Sequence, residues 1–414
     1  MSTVESLSGI LPTDVMLKIL ACLPARSLVR FRCVSKPWRS LLSDPFFVTM
    51  WMSRSGTTIL VVPLEWGNRD QCCLVYENVY IGMKTLKLPF GNRWFSLSVV
   101  GSSSDGALIC LTGLSYSRRH ESKQGVILWS PYMGEIKALG NDGFVQCRRW
   151  PVCTQSLVQG DNTACCHRYA VHGFGYEPNA RDYKVVRITY WYGDAAGQVY
   201  TLTRPWHVEV YSLGRDAWKS LGRPNFTATV RGNSRAFVNG SAHWLAAPCA
   251  SATYNSIVAF NMEDESFGEF IGLPRSGDLA QYCLFPRGKA TLSVSRGHLA
   301  LIAFHECIWG ECGVWVMKEY GVAESWTKQH RIVLPVGSAA VQAALGLTGR
   351  GKMLLRMADE KLVCCDAEDM EICEVGIQGG GRDSSFDVID LEGADPTLGN
   401  QAGGSSMLTI PNLE

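Results

Sequence analysis

The sequence has almost no charge imbalance: 39 Lys and Arg stand against 38 Asp and Glu in 414 residues, a formal net charge of +1. No global field therefore draws the chain toward nucleic acid or anionic lipid, and neither is expected as a partner. No apolar run approaches the roughly 18 residues that span a bilayer. Met1 to Ile10 also lacks the basic-then-apolar order of a secretory signal. The 16 cysteines are accordingly expected as buried thiols in a reducing compartment, cytoplasmic and/or nuclear, rather than as disulfides. Asn225-Phe226-Thr227 and Asn239-Gly240-Ser241 then read as chance sequons.

Closely spaced metal ligands are missing too. Cys147, Cys153, Cys165, Cys166 and His167 are separated by 5, 11, 0 and 0 residues, without the Cys-x2-Cys pairs that structural zinc favours, and His305, Cys307 and Cys312 form an equally loose set. Neither a metal nor a cofactor is expected. Gly346 to Lys352 has the spacing of a phosphate-binding loop, but position 353 is Met where the Mg2+-ligating hydroxyl belongs. The following Met353-Leu354-Leu355-Arg356-Met357 has the pattern of a strand, so a glycine-rich hairpin turn is expected there. No Gly-x-Ser-x-Gly elbow occurs, and no catalytic constellation is assigned.

Helical periodicity is confined to the first 50 residues. In Leu11-Pro12-Thr13-Asp14-Val15 and onward, Val15, Ile19 and Leu23 recur at i, i+4, i+8, with Met16 and Leu20 as the adjoining row, giving one broad apolar face. Pro12 suits the start of this helix and Pro24 ends it. A second short helix carries Leu28, Phe31 and Val34, and a third opens at Lys36-Pro37 and turns Trp38, Leu41 and Leu42 inward. Three short helices bury little surface by themselves, so the unit is expected to dock on another protein. Seven basic residues against three acidic ones, counted to Arg54, favour an acidic partner.

From Thr57 the pattern becomes short β-runs punctuated by turn residues, in keeping with 41 Gly and 13 Trp. A strand–turn–strand unit starts at Leu74, Val126, Val208, Ile257, Val314 and Leu362, at intervals of 52, 82, 49, 57 and 48 residues. A period near 50 is the mark of propeller blades, each a four-stranded sheet that needs neighbours to cover its faces. Six blades fits best, with five or seven left open. Ala236–Asn239 turning at Gly240 into Ala242–Leu245, and Leu292–Val294 turning at Arg296-Gly297 into Leu299–Leu301, supply upstream strands. Phe386-Asp387-Val388-Ile389 is placed as a last strand closing the ring against Ile59-Leu60-Val61, with 393–414 as a disordered acidic tail.

The segment Leu11 to Phe47 resembles the F-box. Leu11-Pro12, Ile19-Leu20, Leu23-Pro24, Leu28, Arg30-Phe31-Arg32, Val34, Lys36, Trp38-Arg39, Leu41 and Pro45 to Phe47 fall where that family has such residues; Ser35 departs from a common Cys. His172-Gly173-Phe174-Gly175-Tyr176 through Ile188 is similar to the most recognisable block of the F-box-associated, kelch-like domain of plant F-box proteins. The resemblance implies a mainly β chain with an F-box at 1–52 and a substrate-recognising β-propeller at 57–391. It implies a non-catalytic subunit of a Skp–cullin–F-box ubiquitin ligase that presents a target protein for ubiquitylation and proteasomal degradation. Its partners would be a Skp-type adaptor, through it a cullin, and a target protein. The adaptor-binding residues would be Leu11, Pro12, Val15, Ile19, Leu20, Leu23, Pro24, Leu28, Phe31, Val34 and Trp38. The alternatives are a non-degradative adaptor-binding protein, and a propeller enzyme or glycan binder with an incidental helical segment. For the target, two Arg- and aromatic-rich segments are candidates: Arg148, Arg149 and Trp150 in the long inter-blade insertion, and Tyr190, Trp191 and Tyr192 before a glycine-rich loop and Trp206.

Overall fold

The computed structural model describes residues 13–20, 31, 34–42, 47, 58–63, 71–76, 83–87, 94–103, 108–116, 122–130, 135–139, 146–147, 167–195, 198–248, 253–274, 279, 281–284, 290–305, 311–333, 341–348, 351–358, 361–366, 372–378 and 386–390. Among the described residues two α-helices, α1 (Thr13–Leu20) and α2 (Lys36–Leu42), precede a chain of antiparallel β-sheets, interrupted by a 3-10 turn at Ala323–Ser325.

Blade 1 takes β1 (Thr58–Pro63), β2 (Gln71–Tyr76) and β3 (Met83–Lys87). Blade 2 has β4 (Trp94–Ser102), β5 (Ile109–Tyr116), β6 (Ser122–Ser130) and β7 (Glu135–Ala138), with the short β8 (Gln146–Cys147) also on β6. Blade 3 has β9 (His167–Glu177), β10 (Asp182–Ala195), β11 (Gln198–Ser212) and β12 (Ala217–Gly222). In blade 4 the first strand is split into β13 (Thr229–Val230) and β14 (Ala236–Val238). β15 (Ser241–Ala247) and β16 (Ser256–Asn261) follow, and the last strand is split into β17 (Ser266–Phe267) and β18 (Ile271–Gly272). Blade 5 has β19 (Tyr282–Cys283) and β20 (Ala290–Ser295) as its divided first strand, then β21 (His298–His305), β22 (Glu311–Met317) and β23 (Trp326–Val333). Blade 6 has β24 (Val341–Leu347), β25 (Met353–Met357), β26 (Lys361–Cys365) and β27 (Ile372–Gln378).

The C-terminal β28 (Phe386–Asp390) leaves blade 6 and pairs antiparallel with β1, Leu60 opposite Ile389 and Val61 opposite Val388. It thereby supplies the innermost strand of blade 1 and touches both β4 and β24, so the six sheets form a closed ring. Closure removes two open sheet edges that would otherwise invite association. All six strand–turn–strand units legible in the sequence form the outer two strands of a blade. The inner hairpin of blade 4 turns at Asn239 (φ 51°) and Gly240 (φ 68°), and that of blade 5 at Arg296 (φ 48°) and Gly297 (φ 78°). Two consecutive left-handed residues match the twist of a tight hairpin. At 348–352 the loop-like Gly/Lys segment is likewise a β24–β25 turn, with Thr348 N donating to Lys352 O at 2.8 Å.

The core lies between blades, not within them. The alternation of β10 sends Val186, Ile188 and Tyr190 toward Trp244 and Phe260 of blade 4, and Val185 toward Val126 and Leu128 of blade 2. In blades 3, 4 and 5 the turn between the outer two strands also latches backward onto the preceding blade. Asp216 pairs with Lys137 at 2.9 Å, Glu265 with Lys184 and Lys219 at 2.9 and 2.6 Å, and Tyr320 with His243 Nε2 at 2.8 Å. Burial lowers the His243 pKa to about 4, so this ring is neutral and its Nε2 accepts the Tyr320 hydroxyl proton.

Candidate functional site

Two surfaces follow from the sequence reading, one on the helices and one on the ring. In α1, Thr13–Leu20, the two apolar rows have opposite fates. Met16 and Leu20 are buried in a small core with Trp38, Leu42 and Phe47, while Phe31 packs at its side with ring centroids 5.6 Å from Trp38. Val15 and Ile19 are 39% and 51% exposed, and Val34 is 55% exposed. The broad face expected from periodicity is therefore two faces. Leu20 and Trp38, expected to touch the adaptor, are buried in the module's own core, because a helical unit this small needs its inward side chains for its own interior. Phe31 is partly buried on the same core. Leu11, Pro12, Leu23, Pro24 and Leu28 lie outside the described residues.

On the ring, the structure describes the approaches to the two target-binding candidates. β8, Gln146–Cys147, pairs with the start of β6 and abuts β9, so the chain enters the insertion beside blade 3. Tyr192 pairs with His167 at the start of β9, at that same end of the ring. Beyond it β10 and β11 continue as a ladder to Ala195 opposite Gln198, where a glycine-rich loop was expected; Trp206 is a residue of β11. β11 has 15 residues against 9 in the longest described strands outside blade 3, so the blade-3 hairpin is the longest among the described residues. Tyr190 is a correction: it is fully buried, its hydroxyl accepting the Val230 amide at 3.2 Å, because its place in the alternation faces blade 4. Arg148, Arg149 and Trp150 lie outside the described residues, and Trp191 and Tyr192 are described as backbone only.

One feature that periodicity could not reveal is a bar across the hub. Between the two halves of blade 4's first strand, Asn233 accepts the His172 amide of blade 3 at 3.0 Å and reaches Ser98 of blade 2 at 3.4 Å. Arg235 donates to Leu345 O of blade 6 at 3.1 Å. His172, buried beside Arg187, has its pKa lowered to about 3, burial being the main cause, and is neutral. Blade 5 holds a second polar cluster, in which Arg331 grips Glu311 through two hydrogen bonds of 2.8 and 2.9 Å and Tyr282 donates to it at 2.8 Å.

Of the loose metal-ligand sets, Cys153, Cys165, Cys166 and Cys307 lie outside the described residues; among the described residues no three His, Cys, Asp or Glu gather around a point. Cys110, Cys312, Cys364 and Cys365 are buried thiols, with burial raising the Cys110 and Cys312 thiols far above their usual range. No described helix is long and apolar enough to cross a membrane.

Comparison with known proteins gives the same division. Residues 10–49 match the F-box domain, and residues 96–397 match the F-box associated beta propeller domain. An F-box protein of Arabidopsis thaliana is 27% identical over 345 residues, covering 79% of this chain and 74% of the relative. An F-box/kelch-repeat protein of the same plant is 27% identical over 335 residues, covering 77% and 78%. The Arabidopsis F-box protein CPR1 is 26% identical over 395 residues, covering 92% and 87%. With an F-box ahead of a closed ring of sheets, and with most of that ring inside the matched segment, the chain belongs to the F-box associated beta propeller family.

Proposed function

We propose that this chain is the substrate-recognition subunit of a Skp–cullin–F-box ubiquitin ligase. The observation that carries the reading is the split of α1: the module completes its own core with Met16, Leu20, Trp38, Leu42 and Phe47, yet leaves Val15, Ile19 and Val34 in solvent. Apolar side chains held out on a marginal helical unit are suited to an adaptor's groove, where each stabilises binding by roughly 1–3 kcal/mol when buried. Through a Skp-type adaptor the chain would reach a cullin, in the cytoplasm and/or nucleus. The ring would hold the target at the end that carries the long blade-3 hairpin. The subunit's own contribution is proximity, which raises the local concentration of target lysines near the charged enzyme.

Copurification of adaptor and cullin with the full chain tests the reading. Val15→Asp combined with Ile19→Asp should abolish copurification without changing the β-type circular dichroism of the ring. Undiminished adaptor capture by that variant would remove the assignment. If the adaptor is captured but target levels do not rise on proteasome inhibition, the chain is a non-degradative adaptor-binding protein instead.

A further inference from the structure

Blade 4 carries a cleft of about 400 Å3 on its outer side, walled by Asn225, Phe226, Val258, Phe267, Glu269 and Phe270. Three aromatic rings meet edge-on there: Phe226 and Phe267 at 4.8 Å, Phe226 and Phe270 at 5.9 Å. Phe270 is 48% exposed, although an aromatic ring of its size is ordinarily covered. The outermost strand breaks at this point: β17 ends at Phe267 and β18 begins at Ile271, with Gly268, Glu269 and Phe270 exposed between them. Nothing lies within 4 Å of the place where a Gly268 Cβ would be, so the backbone is open to an approaching chain. The far side of the break is anchored, since Trp326 Nε1 donates to Gly272 O at 2.9 Å.

Among the described residues lining the cleft, Glu269 is the one that carries a charge. Glu263, Asp264, Glu265 and Glu269 lie on the segment 263–270, which holds no Lys or Arg. Lys184 and Lys219 neutralise Glu265, and Asn179 bonds Glu263 at 2.5 Å. Asp264 and Glu269 are exposed. Arg223, two residues before Asn225, is engaged in an interaction of its own.

We propose that this cleft docks a basic segment of the target polypeptide, with a bulky apolar side chain seated among the three phenylalanines and an adjacent Lys or Arg on Glu269. The proposal rests on the target-binding role of the ring and specifies the chemistry recognised. A second copy of this chain fits worse. A two-fold contact would set Glu269 against Glu269, and one side-chain-sized cleft falls far short of the roughly 1,200 Å2 that a stable interface buries.

The test uses the full chain copurified with its adaptor and a fluorescein-labelled peptide carrying one Phe between two Arg in a Gly/Ser background. Fluorescence polarisation should show saturable binding, weakened at least tenfold by Phe270→Ala and by replacing the peptide's Phe with Ala. Glu269→Lys should weaken the Arg peptide and strengthen a matched Glu peptide. Both sites are exposed, so thermal midpoints should stay near wild type and certify folding. The proposal is overturned by no saturable binding up to about 1 mM, a Kd weaker than an ordinary weak complex. It is overturned equally by binding indifferent to both substitutions, by preference for the Glu peptide, or by self-association that Phe270→Ala abolishes. Adaptor copurification in the same preparation reports the ligase reading separately, so either can fail while the other stands.

Discussion

Gly175 lies beneath the ring of Phe237: a Cβ at residue 175 would stand 2.0 Å from Phe237 Cε2, well inside any real contact. Two residues earlier, a Cβ on Gly173 would meet the Trp244 ring at 2.7 Å. The two glycines of the His172–Tyr176 block are thus what lets blade 3 close on blade 4. Asp182, ten residues on, receives Ser212 Oγ at 2.5 Å and the Gly214 amide at 2.8 Å, holding the outer turn of the blade in place.

Gly175→Ala should therefore destabilise the ring by ~1–3 kcal/mol through overpacking. Gly268→Ala, which meets nothing within 4 Å, should be nearly neutral. Thermal unfolding of the two variants side by side is the check, and equal midpoints would show that Phe237 simply moves aside.

Ring closure depends on the C-terminal strand. A chain ending at residue 385 loses β28 and exposes β1, β4 and β24, so it should aggregate or unfold well below the wild-type temperature. A chain ending at residue 392 retains the strand and should unfold like the full-length protein. Size-exclusion profiles and melting curves separate these outcomes.

The bar across the hub should matter to the whole ring. Arg235→Ala removes a hydrogen bond that joins blades 4 and 6, and leaves Leu345 O without that donor. Asn233→Ala removes contacts to blades 2 and 3. Each should cost about 0.5–1.5 kcal/mol, the usual net contribution of a hydrogen bond that is only partly buried. If urea unfolding shows no loss for the double variant, the bar is not structural.

Acid should weaken blade 5 through Glu311. The hydrogen bonds from Arg331, with a further one from Tyr282, hold its carboxyl at about 2 against the opposing effect of burial. A folded-state pKa below the unfolded value of 4.5 gives stability that is present above 4.5 and lost as pH falls toward 2. The contribution is at most ~3 kcal/mol. Glu311→Gln should lower stability at pH 7 and flatten its decline between pH 5 and 3. Parallel pH profiles for variant and wild type would show Glu311 to be unlinked to that decline.

The repeat near 50 residues, the six outer hairpins, the Asn239-Gly240 turn and the closing strand at 386–390 were all legible in the sequence. Alternation and turn chemistry are local, and each outer hairpin carries its own pattern whatever surrounds it. The F-box was legible for the same reason, since its short helices carry apolar residues at helical spacing. What only the tertiary structure decided is where each residue faces. Periodicity put Val15, Met16, Ile19 and Leu20 on one face, and the fold divided them, because the interior of a small module admits one row and leaves the next outside. Tyr190 has the composition of a binding residue, yet the packing of blade 3 on blade 4 buries it. The bar at Asn233 and Arg235 and the cleft at Phe270 left no periodic trace. The bar joins residues of four blades that only the closed ring brings together, and the cleft joins residues that meet once blade 4 has folded.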